Sequence, residues 1–264
     1  MKPDGFKDKT RQTQIIDGLS PDANKLRGHS KIINLETLTK DIDLAWKTTR
    51  TPAEFRAKLL IIFRATLLEG SNFIQDRFLS NNNGAEAVLA QAYLIDSLIK
   101  AALETVDTKL YRTPNPTQGE QLCIIAVGGY GRGELAPFSD IDLLFLLPYK
   151  QTPRVEQVVE TILYLLWDMK LKVGHSTRSI DECMRQAKAD MTVRTAILES
   201  RYICGEISLM EQMIARFREE IIKETALEFV EAKLRESDDR HRQLGDSRYV
   251  IEPNIKDGKG GLRD

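Results

Sequence analysis

Two aspartates separated by one residue, Asp140 and Asp142, are the strongest chemical feature of this 264-residue sequence. They precede an apolar run, residues 143–147, of the kind that forms a buried β-strand. Because alternate residues of a strand face the same side, we expect both carboxylates to project together while Ile141 points into the core. Paired carboxylates repel unless a cation lies between them, and such hard oxygen ligands suit Mg²⁺, with Mn²⁺ also possible. The spacing predicts that Asp140 and Asp142 are catalytic and bind metal; the alternative is a pair that caps a turn.

A glycine-rich segment precedes the aspartates and follows a second apolar run, residues 122–127, which predicts another buried strand. Its glycines are Gly128, Gly129, Gly131 and Gly133. Glycine has no Cβ, so consecutive backbone N–H groups can approach a phosphate and form a concave anion site. We therefore expect the segment to bind a nucleotide through Gly128, Gly129, Arg132 and Ser139. The alternative is a plain turn between strands.

A third strand is predicted over residues 171–179, after an amphipathic helix over 153–169 that would act as a crossover. Lys172, Gly174, Ser176 and Arg178 then share one face of this strand. We predict that Arg178 binds the nucleotide, because a guanidinium matches phosphate geometry; the alternative is a surface salt bridge. His175, on the other face, is either a ligand or base, or a structural histidine.

Composition limits the partners and the compartment. The 38 basic and 39 acidic residues nearly cancel, which argues against bulk nucleic acid as a partner. Three scattered cysteines without a C-x-x-C pair favour a reducing cytoplasm, and no apolar segment predicts a signal peptide or a membrane span.

The chain is expected to divide into four regions. A polar mobile arm covers 1–30, a helical scaffold 31–115, the catalytic core 116–190, and a helical region with a glycine-rich tail 191–264. Within the last region, residues 192–201 and 207–243 are predicted to be helical, and Tyr249 to Ile251 to form a short strand.

The segment GGYGRGELAPFSDIDLLFL, residues 128–146, resembles the nucleotidyltransferase superfamily that includes DNA polymerase β. That superfamily carries Gly-Gly or Gly-Ser, a gap of about ten residues, and then Asp-x-Asp. More narrowly, the sequence is similar to the uridylyltransferases of the nitrogen-signalling protein PII. VGHSTRSIDEC (173–183) and IEPNIKDGKGGLRD (251–264) support the narrower resemblance.

The resemblance implies an α/β fold of the polymerase-β-like nucleotidyltransferase type: a small mixed sheet flanked by helices, with N-terminal helices and a C-terminal helical region. It also implies transfer of UMP from UTP to a tyrosine hydroxyl of PII, with release of pyrophosphate. Related transferases carry a Lys-x-Gly-x-Gly-Gly segment, so Lys256 and Lys259 are implied to bind the nucleotide; the alternative is a flexible loop.

Departures from the family pattern leave other questions open. The third strand usually supplies another metal-binding carboxylate, whereas His175 or Ser176 stands in that region here. The PII enzymes continue into an HD hydrolase domain, whose metal site needs an adjacent His-Asp pair, and into ACT domains. The three histidines here are followed by Ser30, Ser176 and Arg242, so the sequence contains no His-Asp pair. We therefore expect a fragment without removal activity. The alternatives are an adenylyltransferase acting on glutamine synthetase, a small-molecule nucleotidyltransferase, and a non-enzymatic nucleotide-sensing module.

Overall fold

The computed structural model describes residues 29–114 and 116–243. Its residues form two compact units, divided between Ile214 and Ala215. The predicted arm largely precedes the described residues, and Lys256, Lys259 and the predicted strand at 249–251 lie beyond them. No helix in the described part of the chain combines the length and the apolar character needed to cross a bilayer.

Local capping explains where the first helices begin. The Asn34 side chain accepts a hydrogen bond from the Thr37 amide, and the Thr51 side chain accepts one from the Glu54 amide, with proline at the next position. Asn82 ends a helix in the left-handed conformation. The helices are α1 (His29–Ile32), α2 (Leu35–Thr48), α3 (Pro52–Asn81) and α4 (Gly84–Thr105), and a π-helical segment (Val106–Leu110) follows.

Four strands form one mixed sheet, in the order β3-β2-β1-β4. They are β1 (Cys123–Ala126), β2 (Ile141–Leu147), β3 (Val173–Ser179) and β4 (Arg201–Gly205). β1 runs antiparallel to β2 and β4, whereas β2 and β3 are parallel and are joined by α6 (Pro153–Asp168). The sheet therefore has the small mixed form that the sequence predicted, with α6 as the crossover.

The main hydrophobic core covers one face of the sheet. Ile124, Leu143 and Phe145 lie on that face and are at most 1% exposed. α4 and α6 supply further residues of this core, including Leu94, Leu98, Ile162 and Leu166. Asp142 follows Ile141 and therefore projects from the opposite face.

The fourth strand corrects the prediction of a helix over 192–201. After β3 the chain forms α7 (Ile180–Ala189) and α8 (Met191–Leu198), and Arg201 already belongs to β4. Tyr202 and Ile203 favour a strand, but β4 contains only five residues and directly follows a helical pattern, so its local strand signal is weak. The last elements are α9 (Ile207–Phe217), a π-helical segment (Arg218–Ile222) and α10 (Lys223–Gln243).

Candidate active site

One edge of the sheet brings the predicted site together. β1 ends there, while β2, β3 and β4 begin there, because β1 runs opposite to its neighbours. The Val127 amide donates to the Asp142 carbonyl at 3.0 Å, and the Ile141 amide donates to the Lys172 carbonyl at 2.8 Å. These backbone bonds hold the glycine-rich segment, the aspartates and the start of β3 side by side.

The Asp142 carboxylate lies between two glycines. Asp142 pairs with Gly174 in the parallel register, so their side-chain positions face the same way. A Cβ on Gly174 would lie 2.5 Å from Asp142 Oδ1, and a Cβ on Gly128 would lie 3.4 Å from Asp142 Oδ2. The missing side chain at Gly174 therefore creates the space in which the carboxylate sits.

Electrostatics distinguishes Asp142 from an ordinary surface aspartate. Its side chain is partly buried, and this burial raises the pKa of the carboxyl above its usual range. The charge of Asp140 is the second cause and raises the pKa of Asp142 further. This environment disfavours the ionised carboxylate, so a cation bound there would offset the unfavourable free energy of ionisation.

Asp140 lies just before β2, at the end of an exposed turn over Ala136–Ser139. The Ser139 amide donates to the Ala136 carbonyl at 3.1 Å. Phe138 occupies the third position of this turn with a φ of 66°, where glycine is normally preferred, and its side chain is 95% exposed. Ser139 and Asp140 are also exposed, so the candidate site opens directly to solvent on this side.

The glycines of the segment have different structural roles. Gly128 has a φ of 59°, and it begins the short helix α5 (Gly128–Gly131). A Cβ on Gly129 would meet only the Arg132 side chain, at 3.7 Å. A Cβ on Gly131, by contrast, would lie 1.9 Å from the Glu199 carbonyl oxygen. Gly131 is therefore required for packing, whereas Gly128 lies beside the Asp142 carboxylate and Gly129 immediately follows it.

The predicted arginines are in different situations. Arg132 lies beside the glycines, and its guanidinium donates to the Glu199 carboxylate at 2.9 Å. Arg178 pairs with Leu146, four residues along β3 from Gly174, which corresponds to roughly 13 Å. The structure therefore does not bring Arg178 to the aspartates, because strand geometry carries it towards the other end of the sheet.

His175 lies on the opposite face from Asp142. It pairs with Leu143, and its ring contacts Trp167 of α6 edge-on, with centroids 5.7 Å apart. This placement favours a structural role over a metal-binding one. Within 29–114 and 116–243, no three histidine, cysteine, aspartate or glutamate side chains form a metal-binding group. Among the described residues, the predicted metal ligands Asp140 and Asp142 therefore have no third carboxylate, histidine or cysteine grouped with them.

A buried ion pair anchors the glycine-rich segment from behind. Arg201 donates to both carboxylate oxygens of Asp96, at 2.6 and 3.1 Å, and to the Tyr130 carbonyl at 3.3 Å. The Tyr130 hydroxyl donates to Asp96 at 2.5 Å. All three side chains are at most 5% exposed, and burial raises the pKa of the Tyr130 hydroxyl well above its usual value, so tyrosine stays the donor.

The sequence analysis did not predict the roles of four residues: Asp96, Tyr130, Gly174 and Arg201. A glycine inside a strand is a recognised sign of close approach, so Gly174 could have been identified. Tyr130 lies within the glycine motif itself. Asp96 and Arg201 gave no local signal, because their partners are distant in sequence.

A separate cavity lies at the other end of β1. Its volume is about 550 Å³, and its lining includes Leu122, Arg154 and Glu206. The residues that line it include none of the predicted site residues, and its place at the start of β1 separates it from the aspartates. The candidate active site is therefore an open edge of the sheet and not this cavity.

Comparison with known families identifies two segments of the chain. Residues 118–203 match the family model described as "Nucleotidyltransferase domain". This range includes β1, β2, β3 and the first part of β4, which it enters as far as Ile203, together with the glycine-rich segment and both aspartates. Residues 228–264 match the family model described as "GlnD PII-uridylyltransferase".

Curated relatives extend the match over most of the chain. Proteins named "Bifunctional uridylyltransferase/uridylyl-removing enzyme" are 52% identical in Azospirillum brasilense, 49% in Rhodospirillum rubrum and 50% in Rhodopseudomonas palustris. The alignments cover 88%, 91% and 84% of this chain, but only 25%, 26% and 24% of the respective relatives. The chain thus spans about a quarter of the length of the curated relatives it matches. The chain therefore contains a nucleotidyltransferase domain and is similar to a portion of the PII uridylyltransferases.

Proposed function

We propose that this chain carries a uridylyltransferase site, which transfers UMP from UTP to a tyrosine hydroxyl of the regulatory protein PII. The observation that carries the proposal is the Asp142 carboxylate seated between Gly128 and Gly174, with a second carboxylate at Asp140. The glycine-rich segment lies against the same edge of the sheet. The names of the relatives and of the matched families support UTP as donor and PII as acceptor.

The two aspartates fit a divalent cation. Their hard carboxylate oxygens suit Mg²⁺ or Mn²⁺. Burial, and then the charge of Asp140, raises the pKa of Asp142, so a cation held there would favour the ionised carboxylate. When bound, the cation neutralises phosphate charge and lowers the pKa of an attacking hydroxyl. Asp140 and Asp142 would hold it at the edge of the sheet.

The transfer step exchanges one bond at the α-phosphorus of UTP for another. The tyrosine oxygen forms a bond to the α-phosphorus of UTP, the bond from that phosphorus to the bridging oxygen breaks, and pyrophosphate leaves with the electron pair. The phenol proton passes to solvent. Gly128 and Gly129 begin a helix, and the first N–H groups of a helix have no acceptor within it, so they are suited to contact the β- and γ-phosphates.

Arg132, whose side chain lies near Gly129, and Ser139, which precedes Asp140 in the chain, complete the proposed nucleotide site. Ser139 is exposed beside Asp140, and Arg132 is half-exposed and paired with Glu199. Arg178 lies on the same face of β3 as Gly174 but farther along the strand, and it stays a prediction. Lys256 and Lys259 stay predictions from the resemblance. All three cysteines are unpaired, which supports a cytoplasmic setting for the reaction.

The direct test is incubation of the chain with purified PII, Mg²⁺ and either UTP or ATP labelled at the α-phosphate. We expect label on PII from UTP and not from ATP. Transfer from ATP alone, or to glutamine synthetase instead of PII, would favour the adenylyltransferase alternative. Tight binding of UTP with no transfer to PII would favour a nucleotide-sensing module.

The aspartates are tested in the same assay. Asp142→Asn keeps the shape of the side chain but removes its charge, so we expect transfer to fall at least about a hundredfold, as for loss of a major electrostatic stabiliser. Asp76→Asn, an exposed aspartate on α3, is the matched control and should keep wild-type transfer. Near-normal transfer by Asp142→Asn would mean that the metal site lies elsewhere.

A further inference from the structure

The buried group of Asp96, Tyr130 and Arg201 joins three separate elements at the glycine-rich segment. Asp96 lies on α4, Tyr130 on α5 and Arg201 at the start of β4. Asp96 is 34 residues from Tyr130 in sequence and 105 residues from Arg201. The Arg201 guanidinium also lies over the Tyr130 ring, with 5.2 Å from its central carbon to the ring centroid.

Stability alone is a weak explanation for this arrangement. A buried ion pair loses its hydration, and well-packed apolar residues are often equally stable in its place. A charged pair that also accepts a hydrogen bond from a tyrosine hydroxyl does fix the orientation of the side chains, because each hydrogen bond restricts the position of its donor. The group therefore determines where Tyr130 can lie.

The position of Tyr130 sets the position of its neighbours. Gly128 and Gly129 immediately precede it, and Gly131 immediately follows it, with its Cα packed against the Glu199 backbone. Arg201 bonds the Tyr130 main chain, and Asp96 bonds its side chain. The short helix α5 is thus fixed through both backbone and side chain at its middle residue.

We propose that Asp96 and Arg201 are positioning residues that act through Tyr130 to orient the Gly128 and Gly129 amides towards the nucleotide phosphates. The inference rests on the proposed function, since it assigns a role within that same site. Neither Asp96 nor Arg201 contacts the substrate in this account, because both are buried behind the glycine-rich segment.

Tyr130→Phe is the appropriate variant. It removes one hydroxyl and keeps the ring, whereas Asp96→Asn would leave Arg201 buried without a counter-charge and endanger the fold. We expect the KM for UTP to rise about fivefold to tenfold while kcat changes less than twofold, because the amides bind phosphate in both ground and transition states.

The matched control is Tyr111→Phe. The Tyr111 hydroxyl accepts from Arg56 at 2.8 Å and lies 3.1 Å from Thr161 Oγ1, so its removal also breaks interactions between helices. Tyr111 belongs to the segment between α4 and β1 and has no part in the glycine-rich segment. We expect this variant to keep the wild-type KM for UTP, even if its melting temperature falls as far as that of Tyr130→Phe.

A second measurement does not depend on catalysis. Amide hydrogen exchange of the peptide spanning 126–133 should be at least about tenfold faster in Tyr130→Phe than in the wild type, and unchanged in Tyr111→Phe. If the wild type neither binds nor transfers UTP, the proposed function fails and exchange alone decides the positioning role. Unchanged exchange in Tyr130→Phe, or an equal rise in KM in both variants, would overturn the inference.

Discussion

Replacing Gly174 by alanine should separate the activity of this protein from its stability. An added Cβ would lie 2.5 Å from Asp142 Oδ1, whereas ordinary contacts of this kind begin near 3.4 Å. The carboxylate oxygen must therefore move by about 0.9 Å. A misplacement of roughly 1 Å in a catalytic group can lower a rate by about a hundredfold, so we expect a loss of that size in kcat/KM for UMP transfer.

The fold should tolerate the same substitution. The clashing atom is the end of a side chain and not backbone, so rotation of Asp142 relieves the contact. Alanine is also favoured over glycine inside a strand by about 0.5–1 kcal/mol, because it loses less backbone entropy on folding. We therefore expect the free energy of unfolding to change by less than about 1 kcal/mol, measured by urea denaturation.

Gly84→Ala provides the control for a glycine-to-alanine change. No atom lies within 4 Å of the Cβ it would add at the start of α4, and it should leave transfer and metal dependence unchanged. The Mg²⁺ concentration for half-maximal transfer should rise in Gly174→Ala and not in Gly84→Ala. Normal transfer and normal Mg²⁺ dependence in Gly174→Ala would refute the view that the seat of Asp142 beside Gly174 matters for catalysis.

Three further substitutions test other parts of the site. Gly131→Ala should lower the melting temperature strongly, because its Cβ would meet the Glu199 backbone at 1.9 Å. A melting temperature within about 2 °C of the wild type would contradict this. Phe138→Gly should raise the free energy of unfolding by about 1 kcal/mol in chemical denaturation, since it relieves a left-handed backbone and uncovers no core; a loss of stability would show a contact made by the ring. Asp142→Asn should be more stable than the wild type at neutral pH in the absence of metal. The pKa of Asp142 is raised in the folded state, so the stability of the wild type falls as the pH rises from the ordinary aspartate pKa through the raised pKa. In thermal melts, the advantage of the asparagine variant should therefore vanish at pH values below the ordinary aspartate pKa.

Short-range patterns in the sequence were enough to predict most elements and to place the candidate aspartates at the start of a buried strand. The alternation around Asp142 predicted that Ile141 would be buried, and Ile141 is 2% exposed. Thr51 caps the start of α3, and the predicted helix over 153–169 corresponds to α6, which joins the parallel strands β2 and β3. These signals work because side-chain direction and capping depend on residues only a few positions apart.

The tertiary structure decided what surrounds the aspartates. Strand register placed Gly174 beside Asp142 and carried Arg178 away from it, although both lie on the same face of β3. Packing joined Asp96 to Arg201 across 105 residues of sequence and added β4 to the sheet. The sequence alone indicated which residues are candidates for the chemistry, since residue types and short spacings carry that information. It could not establish which of them meet, because register and burial depend on contacts between distant parts of the chain.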